Sequence, residues 1–149
     1  MKKLRYLYMS SSEDVHCSHR KWSFDKASQY YPNVLRYVDW FGYPLWSLPK
    51  TFQINNHVSF RMPNSRIVQL WEGGKTKVLT KLTILDLHHS RLRTLDLGLS
   101  PNRESLCLKR CYDLVEVSIN VECLKLVSLD LNSTKLRTLE LSLTSNLEE

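Results

Sequence analysis

Three clusters in this chain have residue types that could do chemistry. Glu72-Gly73-Gly74-Lys75-Thr76 ends like a phosphate-binding loop. That loop needs G-x-x-x-x-G-K-S/T, because successive backbone amides must cradle the phosphate. Its first glycine would fall at position 69, which is Gln69, and no strand-loop-helix pattern surrounds it. The two glycines are better explained as a turn after Leu70-Trp71. His16-Cys17-x-His19 and Cys107-x3-Cys111 with Cys123 carry metal-ligating side chains. Structural zinc sites draw on paired ligands, such as C-x2-C with a second pair further on. Neither cluster supplies a second pair, so no metal and no cofactor are expected. The third group is the carboxylates Asp39, Asp86 and Asp130, which the register below places on different strands. No Ser/His/Asp or Cys/His set has a supporting pattern, so the expectation is a protein that is not an enzyme. Asn132-Ser133-Thr134 is a glycosylation sequon only in a secreted chain; otherwise it is a strand end and its turn.

What remains is surface chemistry. Lys and Arg number 21 against 15 Asp and Glu, a net charge of +6. The cations alternate with acids (Lys21/Asp25/Lys26, Arg103/Glu104, Lys135/Arg137/Glu140), which suits a solvated surface. Nucleic-acid binding calls for a clustered basic face instead, and no nucleic-acid partner is expected. There is no run of 18 apolar residues to span a membrane and no apolar core for a secretory signal at Met1–Asp14. Membrane partners are therefore not expected either. Four cysteines in such a chain read as reduced thiols, which places it in the cytosol or the nucleus.

The elements that position these side chains come from a repeat. Leu79–Asn102 returns 44 positions later as Cys123–Asn146, with Leu85 matched by Leu129 and Leu95 by Leu139. The shorter motif inside it is L-x-x-L-x-L, then a small or polar residue three beyond and an apolar residue two further on. It runs Leu82-Leu85-Leu87, Ser90, Leu92, and again Leu126-Leu129-Leu131, Thr134, Leu136. Arg103-Leu106-Leu108, Cys111, Leu114 is a degenerate copy between them. Leu35-Val38-Trp40, Leu45 and His57-Phe60-Met62, Ser65, Ile67 are looser copies, and Leu4-Leu7-Met9 reads as a first strand. The central residues Val38, Phe60, Leu85, Leu106 and Leu129 are 22, 25, 21 and 23 apart. That is the leucine-rich-repeat period.

Alternation within each motif puts both leucines on one face of a short strand and the middle residue on the other. One strand per unit, all in one direction, stacks into a parallel sheet over a continuous core. The expected fold is therefore α/β but β-rich: a leucine-rich-repeat solenoid with a short parallel concave sheet and a mostly irregular convex side. LDL at 95–97 and LEL at 139–141 resemble further strands. Each begins only 10 residues after the previous one, too few to go out and back, so they read as convex-side core. Residues 1–149 form one domain of five to six units, with 10–31 as an inserted loop and a truncated C-terminus. Trp40 and Trp71 are expected in the core. Trp22 lies in the polar loop with Phe24, Tyr30 and Tyr31.

Three blocks carry a family resemblance. Leu35–Pro49 reads LR-Y-x-x-W-x-x-Y-P-L-x-S-L-P, Pro63–Gly73 reads P-x-S-x-I-x-x-LW-x-G, and C-x-x-L-V-E begins at Cys111. The chain resembles the leucine-rich-repeat region of plant intracellular immune receptors, of the class that also carries Toll/interleukin-1-receptor and nucleotide-binding domains. Neither of those domains is in the chain, which reads as a fragment, so their chemistry does not carry over. The resemblance implies protein recognition in defence response and signal transduction. The partner would be a pathogen effector, a host protein or the receptor's own nucleotide-binding domain.

The register places Tyr37, Asp39, Phe41, Arg61, Asp86, His88, Lys109, Asp130 and Asn132 on the concave face as the protein-binding residues, beside Ser59, Pro63, Ile84, Ser105, Cys107 and Ser128. Two other readings stand beside this one. One is a non-immune intracellular adaptor, which an F-box-like leader would favour. The other is a truncated remnant without function, since uncapped arrays expose apolar ends.

Overall fold

A computed structural model describes residues 5–10, 35–49, 52, 56–71, 79–97, 102–120 and 125–142. The inserted loop beyond Ser10, the His16/Cys17/His19 cluster, the Glu72–Thr76 segment, Trp22, Cys123 and the C-terminal residues from 143 lie outside them.

Six of the nine strands form one parallel sheet: β1 (Tyr6–Ser10), β2 (Tyr37–Phe41), β3 (Ser59–Arg61), β4 (Ile84–Asp86), β6 (Ser105–Cys107) and β8 (Ser128–Asp130), in that order across the sheet. The pairing follows the repeat. Leu7, Val38, Phe60, Leu85, Leu106 and Leu129 are register partners in one inward row. Five of the six are hydrophobic side chains with no polar atom, and Phe60 is an aromatic of similar reach. Each coil therefore presents the same apolar contact to the next. From Val38 to Leu106 this row is at most 1% exposed. Trp40, Met62, Leu87 and Leu108 make a second buried inward row. Fully burying one such side chain contributes about 1.5–3 kcal/mol.

Past the strands the chain turns a corner built the same way in every coil. Gly42, Asn64, His89, Arg110 and Ser133 all have left-handed φ, between 55° and 70°. Glycine takes that conformation without steric cost and asparagine tolerates it, whereas the other three carry a Cβ penalty. Their amides extend the ladder. Gly42 N–H donates to the Pro63 carbonyl, Asn64 to His88, His89 to Lys109 and Arg110 to Asn132, at 2.7–2.9 Å. The next residue in each coil is the expected small or polar position. Ser65, Ser90 and Cys111 are buried there. The Cys111 thiol donates to the Leu87 carbonyl at 3.2 Å, and Thr134 Oγ1 donates to Leu131 at 3.0 Å. In the second coil Tyr43 occupies this corner, buried edge-on to Trp40 with ring centroids 4.9 Å apart.

The far side of the solenoid is more regular than the sequence pattern suggests. β5 (Thr94–Asp96), β7 (Glu116–Asn120) and β9 (Thr138–Ser142) form a second, three-stranded parallel sheet. The two leucine triplets read as irregular core thus begin in true strands. The distance argument failed because these strands do not return to the first sheet. Ten residues suffice to round one corner and start the opposite leg. A bridge between Leu48 and Trp71, with Leu48 N–H donating to Leu70, begins the same ladder one coil earlier. Hydrogen-bonded strands lie about 4.7–4.9 Å apart, so coils paired on both legs stack with little room for curvature. Every element among the described residues is a strand.

Candidate protein-binding face

The outward residues of the long sheet form three rows. Tyr6, Tyr37, Ser59, Ile84, Ser105 and Ser128 are partners in the first, and Tyr8, Asp39, Arg61, Asp86, Cys107 and Asp130 in the second. The third row starts with Ser10 opposite Phe41. The corner hydrogen bonds continue it through Pro63, His88, Lys109 and Asn132. All nine residues expected from the sequence therefore stand on one face.

Their environments differ. Tyr37 and Phe41 are about two-fifths exposed, and Arg61, Lys109 and Asn132 are exposed. Asp39, His88 and Asp130 are half-buried. Asp86 is only 6% exposed, so its carboxylate is held inside the surface. Pro63, also read as outward, is buried where the chain dips into the corner. Two residues that the sequence reading left out belong here. Tyr6 and Tyr8 are 54% and 61% exposed. The Leu7/Met9 alternation that marked the first strand already pointed them outward. Tyr6 packs on Tyr37 with centroids 6.4 Å apart. One end of the face is thus an aromatic patch of Tyr6, Tyr8, Tyr37 and Phe41.

The middle of the face is a charge network. Arg61 reaches Asp86 Oδ2 with Nη2 at 3.2 Å and Nε at 3.4 Å. Asp86 Oδ1 accepts the His88 backbone N–H at 3.2 Å and lies 2.6 Å from His88 Nδ1. A buried carboxylate costs free energy unless it is paired and hydrogen-bonded, and this one is both. Cys107 sits beside it. Burial pushes its thiol pKa up, and the neighbouring Asp86 and Asp130 carboxylates push the same way. Burial likewise raises the thiol of Cys111. Desolvation, and then the charges of Arg110, His88 and Lys109, hold the His89 pKa below its ordinary value. A neutral His89 can accept from Arg110 Nη1, 3.2 Å from its Nε2.

A groove of about 680 Å³ runs along the edge where the strands begin. Cations that look scattered in the sequence converge there: Arg5, Arg36, Lys81 and Lys125, against Glu104. Lys81 Nζ donates to Asn56 at 2.9 Å and Lys125 Nζ to Asn102 at 3.3 Å. Trp40 and Trp71 are in the core as expected, whereas Trp46 is 74% exposed. Among the described residues, no helix is long and apolar enough to cross a membrane.

The sequence is similar to proteins of known role. It is 33% identical over 145 residues to the disease resistance protein RPV1 of Vitis rotundifolia, covering 84% of this chain. It is 35% identical over 132 residues to the disease resistance-like protein DSC1 of Arabidopsis thaliana, again covering 84% of this chain. With the Arabidopsis disease resistance protein RPP2A it shares 41% identity over 94 residues, 62% of this chain and 7% of that protein. The chain spans about 10% of the length of the first two relatives. No family profile matches it, and no solved structure does.

Proposed function

The chain belongs to the plant disease-resistance proteins, and we propose that it serves there as a protein-recognition segment whose binding face is the long parallel sheet. The observation that carries this reading is the continuity of that face. Six strands in register expose four aromatics at one end and mixed charges along the rest. Protein interfaces favour aromatic anchors ringed by polar contacts. Tyr6, Tyr8, Tyr37 and Phe41 supply the anchor; Arg61, Lys109, Asp130 and Asn132 supply the polar rim. The basic edge groove suits a short acidic segment of the same partner, since it is open and lined by amide and ammonium donors. The partner is a pathogen protein, a host protein or the nucleotide-binding domain of a receptor of this kind, met in the cytosol or nucleus. The segment acts by binding, with no reaction of its own, and contributes to defence signalling.

The test is affinity capture from infected and healthy plant tissue, comparing the wild-type chain with Tyr37→Ala/Phe41→Ala and with Arg61→Glu. Proteins retained by the wild type and lost from both variants, with melting temperatures unchanged, support the face. Identical protein sets for all three chains overturn it.

A further inference from the structure

Beyond the aromatic patch, three metal-ligating groups of different chemistry meet on the same face. Asp86 ends β4, His88 follows two residues later, and Cys107 ends β6 as the register partner of Asp86. Their ligand atoms all lie within 4.8 Å of one another. We propose that Asp86, His88 and Cys107 form a three-ligand site for a divalent transition ion of the Zn²⁺ type, with a fourth position open to the sheet face.

The donor set decides the class of ion. Thiolate and imidazole are soft to borderline donors that select zinc over magnesium or calcium, which prefer all-oxygen sites. Three protein ligands with an open position match the reactive zinc arrangement rather than the closed structural one. The geometry is close to what is needed. Zinc bonds of about 2.0–2.3 Å place tetrahedral ligand atoms roughly 3.3–3.7 Å apart, so the cluster closes by side-chain rotation of about 1 Å. The backbone need not move, because the β4–β6 ladder already holds Asp86 and Cys107 side by side.

Charge and protons also balance. The ion takes the place of the proton between His88 Nδ1 and Asp86 Oδ1 and of the proton on Cys107 Sγ. One carboxylate and one thiolate then neutralise the dication. Arg61 can remain on the other oxygen, Oδ2, orienting the carboxylate from outside as second partners of metal ligands do.

Ligand-pair spacing could not reveal this site. Two of its ligands are in a D-x-H on one strand, and the third is one whole coil later. The duplicated coil lacks it, because Asn132 stands where His88 does in the first copy.

The experiment is a cobalt titration of the full 149-residue chain after chelator treatment. One equivalent of Co²⁺ should give tetrahedral d–d bands with a thiolate-to-cobalt charge-transfer band, and Zn²⁺ but not Mg²⁺ should displace it. Cys107→Ser should abolish the charge-transfer band, and His88→Gln should weaken binding at least about tenfold, more than the loss of an outer partner alone. Cys111→Ser and Cys17→Ser should leave both unchanged. Circular dichroism shows that each variant is folded. Absence of a stoichiometric cobalt-thiolate spectrum in the wild type overturns the proposal. So does a spectrum that survives Cys107→Ser, which would leave adventitious binding only.

Discussion

The two copies of the 44-residue duplication carry nearly the same side chains into different surroundings. In the first, Leu82, Leu85, Leu87, Leu92 and Leu95 are all at most 2% exposed. In the second, Leu129 and Leu139 are each 39% exposed, and Leu126, Leu131 and Leu136 are only partly buried. The strands match in length and register. What differs is the number of neighbours: β4 has a paired strand on both sides, whereas β8 and β9 are the outermost strands of their sheets. A solenoid unit cannot bury its apolar stripe alone, so burial here depends on stacking and not on the motif.

The largest effect should come from truncating the same leucine in each copy. Leu85→Ala should cost about 3–4 kcal/mol, as fully buried leucines do, and Leu129→Ala about 1 kcal/mol, because much of that side chain is already in water. Urea unfolding of the two variants measures the ratio. Equal costs would break the comparison and mean that something covers the outer coil in solution; a protein-concentration dependence of the Leu129→Ala cost would identify it as a second copy of the chain.

A smaller contrast separates the matched aspartates. Each accepts the amide two residues on, Asp86 from His88 and Asp130 from Asn132 at 3.0 Å. Only Asp86 also holds an arginine and an imidazole. Asp86→Ala should cost about 2 kcal/mol, the loss of a charged hydrogen-bonding group, reduced because Arg61 is half exposed. Asp130→Ala should cost under about 1 kcal/mol, as an exposed single bond does. Equal losses would mean that the network around Asp86 adds nothing to stability.

The smallest effect tests the corners. His89 and Ser133 hold matching left-handed positions, at φ 58° and 61°. Ser133→Gly should stabilise by about 0.5 kcal/mol, the relief of Cβ strain less the added chain entropy. His89→Gly should gain less, because it also loses the Arg110 contact and the ring packing on Tyr112. A larger gain at His89 would show that those contacts contribute nothing.

The pair of copies also marks what the sequence can tell. Alternation decides which face a residue takes, because a strand has period two wherever it sits. All six inward rows and the nine binding-face positions were legible for that reason, down to a degenerate coil that begins with buried Arg103. Burial was not legible, because L-x-L reads identically at Leu85 and Leu129. The closing of Asp86 into its network depends on Arg61 one coil earlier and Cys107 one coil later. No local pattern carries that information. The second sheet was missed for a related reason. Its strands pair only with strands of other coils, so one coil's length says nothing about them.

The left-handed corners have a consequence for how such a surface can change over generations. Backbone amides, not side chains, join each coil to the next, through the strands and then through the corner residues. Outward positions can therefore be replaced one at a time without disturbing the connection, while the corner and inward positions are held to a narrow choice. A duplication that copies whole coils inherits the frame intact and brings a fresh set of outward positions. His88 and Asn132 show the outcome: one frame, copied, with its outward residues already diverged toward different chemistry.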